Sequence, residues 1–125
     1  MKENEERDSA EQILNQVIAG MQEKKAKNIV SLNLQSIRNA VTKYYVICHG
    51  TSTSQTDAIT RGVEEFVHKN CGLKAFHREG TDNSEWILID YFDVVVHIFM
   101  EDRRSFYKIE NLWADAPLTT HRSDE

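Results

Sequence analysis

At 125 residues, 40% of them apolar, the chain is large enough for one compact domain with a sizeable core and too small for two. A formal net charge of -5 and a pI near 5.5 argue against broad capture of RNA or DNA, which takes clustered Lys and Arg, and favour a basic protein surface as partner. No apolar run approaches the roughly 20 residues that span a bilayer, and MKENEERDSAEQ has neither signal-peptide nor transit-peptide character, so no membrane is expected; with only Cys48 and Cys71, a reducing, cytoplasmic setting is expected.

Residues 1–8 are polar and highly charged and are expected to be disordered. A helix is predicted from Ser9 as N-cap, with Gln12 in the capping-box position and Ile13, Leu14, Val17, Ile18 and Met21 at helical spacing. Lys24, Lys25 and Lys27 oppose the negative end of its dipole. NIVSLNL, residues 28–34, reads as a strand with Val30, Leu32 and Leu34 on one face and Ser31 and Asn33 on the other, with Ile29 out of pattern. QSIRNAVTK is a connection, and YYVICH, residues 44–49, is a β-prone run suited to a buried central strand that Gly50 ends. In GTSTSQTDAITRGVEEFV, Ser52 and Gln55 have capping-box spacing, and Ile59, Val63, Phe66 and Val67 form one face of a second helix ending near Asn70 and Gly72.

LKAFH, residues 73–77, reads as a short third strand, and REGTDNSE as a loop. WILID and DVVVHIF are two strands separated by a few residues, hence an antiparallel hairpin. Phe106, Ile109, Leu112 and Trp113 recur at helical spacing before Pro117, and PLTTHRSDE looks like a loose tail. The expected organisation is a domain over 9–115 between a disordered N-terminus, 1–8, and a flexible tail, 116–125. The fold class is α/β, a single domain with a mixed sheet of about five strands flanked by helices.

The turn from Gly50 to Gln55 stands where backbone N–H groups and a helix dipole can hold a phosphate. It lacks the Lys of a Walker loop and the three glycines of a dinucleotide fingerprint, and no DxD pair follows it as a nucleotidyltransferase would need. Gly50 and Ser52 are therefore read as a turn and a helix cap. Asp90 and Asp93 are hard-cation donors, but two carboxylates on a turn make a poor site, and Asp is common in turns for its hydrogen bonds to backbone. His97 alternates with Val96 and Ile98 and is read as a half-buried, hydrogen-bonded residue; Cys48 and His49 point to opposite faces; no HxxH spacing occurs. No cofactor or metal is expected. On a period of two, Trp86, Leu88 and Asp90 share one face of their strand and Ile87, Ile89 and Tyr91 the other.

EGTDNSEWILIDYFDVVVHIFMEDRRSFYKIENLW closely resembles the signature of the ribosomal silencing factor, or Iojap, family: EG, a spacer, W-x-L-x-D, DVVVH, then an Arg-aromatic-Leu-Trp helix. YYVICHGTSTSQ is similar to the family's upstream block, and the resemblance covers about residues 9–115. Two positions depart from it: Lys43 stands where relatives commonly carry an acid, and Phe92 where DYGD has glycine, so the hairpin turn has no left-handed glycine to rely on. The resemblance implies a fold nucleotidyltransferase-like in outline without the catalytic carboxylates. It also implies a translational repressor that binds the large ribosomal subunit through its fourteenth protein and blocks joining with the small subunit, without bond chemistry. Trp86 and Tyr91, with Phe92 beside them, are expected to form the apolar contact; Glu79, Asp90 and Asp93 to supply negative charge; Arg104 and Tyr107 to support the rim; and His97 to hold the hairpin by a hydrogen bond. A homodimer of the free protein through an exposed strand edge stays open. The rival is a small nucleotidyltransferase-like enzyme using Gly50 to Ser52 for phosphate and Asp90 with Asp93 for Mg2+.

Overall fold

A computed structural model of the chain describes the backbone of residues 2–107 and 115–123, and side chains within 9–104 and 115–123. Helix α1 (Lys2–Glu23) leads to strand β1 (Lys27–Asn33), then β2 (Tyr44–Gly50), helix α2 (Thr53–Cys71), β3 (His77–Glu79), β4 (Trp86–Asp90), β5 (Val94–Met100), the short helix α3 (Glu101–Tyr107) and β6 (Leu118–His121). The six strands form one sheet in the order β3-β4-β5-β2-β1-β6. β2 and β5 run parallel, Tyr44 opposite Val94, and every other neighbouring pair is antiparallel. Among the described residues no helix is long and apolar enough to cross a membrane.

Both faces of the central strands are covered. α1 and α2 pack over one face, where Ile13, Val17, Met21, Ile59, Val63 and Val67 meet Val46, Cys48, Ile87, Ile89, Val96 and Ile98. The opposite face holds a second cluster of Val30, Leu32, Leu34, Ile47, Phe99 and Ala116, with Trp86 and Tyr45 at its margin. Ile29, out of phase in the sequence, is buried in the first cluster while Val30 is buried in the second, and the β1–β2 register shifts between Lys27 and Val30. A bulge there lets consecutive apolar residues serve opposite faces. The two helices cross at glycines: a Cβ on Gly20 would lie 2.8 Å from the Gly62 carbonyl oxygen and 2.9 Å from Val63 Cα. Only hydrogen leaves the backbones room to approach.

Five expectations are corrected. α1 begins at Lys2, so Ser9 lies inside the helix as an exposed residue instead of capping it; the Glu and Arg upstream are good helix formers that extend the helix past the expected cap. The third strand is His77–Glu79, beginning four residues later than LKAFH, because Phe76 N–H donates to the Asp90 carbonyl at 2.8 Å and only from His77 does the ladder with β4 continue. Among the described residues the sheet has six strands: LTTH of the expected loose tail pairs with β1 as β6. Its anchors are Asn33 N–H to the Pro117 carbonyl at 3.0 Å and Ser31 Oγ to His121 Nε2 at 2.7 Å. The fourth and fifth, Tyr91 and Arg104, are taken up below. The expected helical residues Ile109, Leu112 and Trp113 lie outside the described residues.

Candidate functional site

The turn between β4 and β5 is held at every backbone group it offers. Tyr91 N–H donates to the Val94 carbonyl and Asp93 N–H to the Tyr91 carbonyl, each at 2.9 Å. Phe92 N–H donates to Asp90 Oδ1 at 2.7 Å, and the Phe92 carbonyl accepts from Thr42 Oγ1 at 2.7 Å. The Asp93 carbonyl accepts from Lys43 and Tyr44 N–H. Phe92 itself takes the left-handed backbone, φ 70°, that a glycine adopts freely. The turn thus forms without a glycine, at the steric cost of a Cβ in the left-handed region.

The Phe92 ring projects outward, 61% exposed, and packs on Phe76, itself 66% exposed, with ring centroids 4.2 Å apart. Asp90 and Asp93 stand on either side of Phe92 in the turn and are partly exposed. Beneath the turn a groove of about 380 Å³ is lined by Ile13, Cys71, Leu73, Tyr91, Phe92 and Asp93, among others. Burial raises the Cys71 thiol pKa above its ordinary value.

The other expected contact residues separate. Tyr91 is only 5% exposed and belongs to the core cluster under α1 and α2, following Ile87 and Ile89 onto the helix-covered face. It is a wall behind the turn, not an outer contact; burial, with the Glu64 carboxylate adding to it, holds its hydroxyl well above the usual tyrosine range. Trp86 sits at the far end of β4, four residues or roughly 13 Å from Asp90. Its indole stacks on Phe99 at 5.1 Å, and Nε1–H donates to His97 Nδ1 at 3.1 Å. Glu79 is exposed on edge strand β3, with Oε1 3.3 Å from His77 Nε2.

Arg104 is a correction: it is buried, not at a rim. Its Nη1 donates to the Asn28 carbonyl at 2.6 Å and to His49 Nδ1 at 3.1 Å, bracing the bulged start of β1 against the end of β2. Because guanidinium has no acceptor, His49 Nδ1 is the acceptor. Tyr107 ends α3, and its side chain lies outside the described residues.

His97 is buried on β5, its ring edge-on to Tyr45 at 4.8 Å. Desolvation lowers its pKa to about 4, so it is neutral at physiological pH. With Nδ1 accepting from Trp86, its proton sits on Nε2, which has no hydrogen-bond partner among the described residues. Cys48 is fully buried, which pushes its thiol up to about 12 and leaves it inert.

The turn from Gly50 to Gln55 is closed by its own side chains. Ser52 Oγ caps α2 by accepting from Gln55 N–H at 3.1 Å, and Gln55 Oε1 accepts from Thr51 N–H at 2.7 Å and Thr51 Oγ1 at 3.0 Å. Gln55 Nε2 reaches the Lys25 carbonyl at 3.1 Å, tying the turn to the α1–β1 connection. Thr51 N–H, the Thr51 hydroxyl and Gln55 N–H, donors a phosphate could use, are already engaged, so the geometry favours cap over nucleotide site. Sequence reasoning missed Phe76, Leu73 and Thr42: each reaches the turn only through the sheet's topology, and no local motif announces it.

Comparison with known proteins places this geometry in a family. The profile described as "Ribosomal silencing factor during starvation" matches residues 7–125. The chain is 42% identical over 106 residues to ribosomal silencing factor RsfS of Bacillus subtilis, covering 85% of this chain and 88% of that one. It is 32% identical over 74 residues to the mouse protein named mitochondrial assembly of ribosomal large subunit protein 1, covering 58% of this chain and 32% of that one. A crystal structure of a Bacillus halodurans protein, 33% identical, superposes with a TM-score of 0.75 over 87% of this chain and 97% of that one. One from Chromobacterium violaceum, 29% identical, superposes with a TM-score of 0.77 over 83% and 85%. On this match across nearly its whole length, the chain belongs to the ribosomal silencing factor family.

Proposed function

We propose that this chain is a translational repressor that docks on the large ribosomal subunit through its fourteenth protein and prevents joining with the small subunit by occupying the space between them. The observation that carries this reading is the β4–β5 turn: an exposed aromatic ring on a fully hydrogen-bonded backbone, set between two carboxylates, in a chain of net charge -5. A rigid apolar anchor in an acidic rim suits a basic ribosomal protein, since complementary fields steer association and exclude wrong partners. Family membership and the ribosomal names of its relatives support the same partner. The contact set is Phe92, Asp90 and Asp93 at the turn end of the sheet, Glu79 on edge strand β3 opposite Leu88, and Trp86 at the other end; Tyr91 and Arg104 are buried behind it. The function needs no bond chemistry, and the protein acts in the cytoplasm.

In the free state a second copy can add a strand beyond β6, which ends the sheet and carries no charged side chain from Leu118 to His121 apart from any proton on the histidine. The test of the main reading is sedimentation of purified subunits under joining conditions. The chain is expected to travel with large subunits and to deplete joined ribosomes in proportion to occupancy. Normal joining at saturating chain would overturn the proposal.

A further inference from the structure

Among the described residues, the Phe76–Phe92 pair stands apart from the other aromatics. Trp86, Tyr45 and Phe99 pack on one another or on His97 across the sheet, whereas Phe76 and Phe92 face solvent over more than half their surface. Phe92 also sits in a backbone conformation that L-residues avoid, at the position where glycine would remove the strain. The backbone strain offsets much of what the ring's partial burial contributes to folding, and strain of this kind is retained where a site uses the geometry.

We propose that the Phe76–Phe92 pair, flanked by Asp90 and Asp93, clamps an arginine side chain of a basic protein partner. This rests on the reading above for where the partner comes from and deepens it by naming the group recognised. Guanidinium is planar and weakly hydrated, stacks on an aromatic face within about 6 Å and hydrogen-bonds carboxylates through its fork. All three demands meet here. The rings offer the face; Asp90 already holds Phe92 N–H through Oδ1, and a carboxylate has capacity for a second donor; Asp93 lines the groove beside Phe92. Because the turn's amide and carbonyl are both bonded, the ring is placed before the partner arrives, which lowers the ordering cost of binding. An ammonium, compact and strongly hydrated, would gain the carboxylates but little from the ring face.

The test titrates the full chain by NMR with a six-residue peptide alternating Ala and Arg, and with its Lys counterpart, in low salt. The Arg peptide is expected to shift the Phe76 and Phe92 ring signals and to bind about three- to tenfold more tightly than the Lys peptide, in line with a cation–π increment of roughly 0.7–1.4 kcal/mol. Phe92→Gly, which suits the turn, and Phe76→Ala should each abolish the preference while Phe92→Trp keeps it. Equal affinity for the two peptides, or a preference that survives loss of both rings, overturns the clamp. Co-sedimentation with large subunits separates this from the function itself. If the wild-type chain binds subunits and Phe92→Gly weakens binding about tenfold, the clamp lies in that contact. Full-strength binding without either ring would overturn it. A wild-type chain that ignores subunits yet discriminates Arg from Lys would sink the ribosomal reading and leave the clamp standing.

Discussion

Replacing Phe92 with glycine and, separately, with alanine distinguishes what its side chain contributes from what its backbone costs. At φ 70° an L-residue is strained by roughly 1–2 kcal/mol, a penalty alanine keeps and glycine lacks. Glycine loses about 0.5–1 kcal/mol of this advantage because its unfolded chain is freer. Both substitutions remove the ring. With 61% of Phe92 exposed, about 40% is covered; for a side chain of roughly 200 Å² that is ~80 Å², or at most about 2 kcal/mol at 25 cal/mol per Å². Alanine is therefore expected to destabilise by about 2 kcal/mol and glycine by about 1 kcal/mol. Urea unfolding checks this through the midpoints, provided the slopes agree. An alanine variant as stable as the glycine one, or more so, refutes the claim that the turn is strained at this residue.

Three further outcomes follow from the same geometry. His97 has a folded-state pKa near 4 against an ordinary 6.5, so the unfolded chain binds a proton that the folded chain refuses between those values; its contribution is complete above pH 6.5 and is lost as the pH falls towards 4, by ~3 kcal/mol in all. His97→Gln should flatten that part of the stability–pH curve, measured as the difference from wild type; identical curves would show that the imidazole is not held neutral. Gly20→Ala forces a methyl group to within 2.8 Å of the Gly62 carbonyl and should cost roughly 1–3 kcal/mol through separation of α1 and α2, read as a lowered melting temperature. Gln55→Ala leaves Thr51 N–H and the Lys25 carbonyl without a side-chain partner at the surface and should cost about 1 kcal/mol in urea unfolding.

The elements that could be read in advance are those whose signals are local. Ser52, Gln55 and Gly72 mark both ends of α2, and the Gly72 N–H to His68 carbonyl bond at 3.0 Å closes it in a left-handed conformation. Alternation in WILID and the dense apolar run of DVVVHIF suffice for a hairpin, and Val94 to Phe99 are indeed buried throughout. What escaped depends on contacts distant in sequence. LTTH has ordinary strand residues but becomes a strand only because Ser31 and β1 offer it an edge. Tyr91 shares a face with Ile87 and Ile89, and the period of two was right; which face α1 and α2 would cover is decided by packing, not by that period. Arg104 looks like a surface cation until Asn28 and His49 are brought to it across 76 and 55 positions. The turn at Phe92 shows the limit most clearly. The missing glycine was visible in DYFD, yet only coordinates reveal that phenylalanine takes glycine's conformation and finds Phe76 beside it.

The parallel pairing of β2 with β5 has a kinetic consequence. Tyr44 finds its neighbour only at Val94, after a helix and two strands have been made. Until then one flank of YYVICH has no ladder, and such a bare, apolar ribbon invites association with other nascent chains. Closing so long a loop is slow, so the rate at which this protein matures should depend on that late zippering more than on its helices.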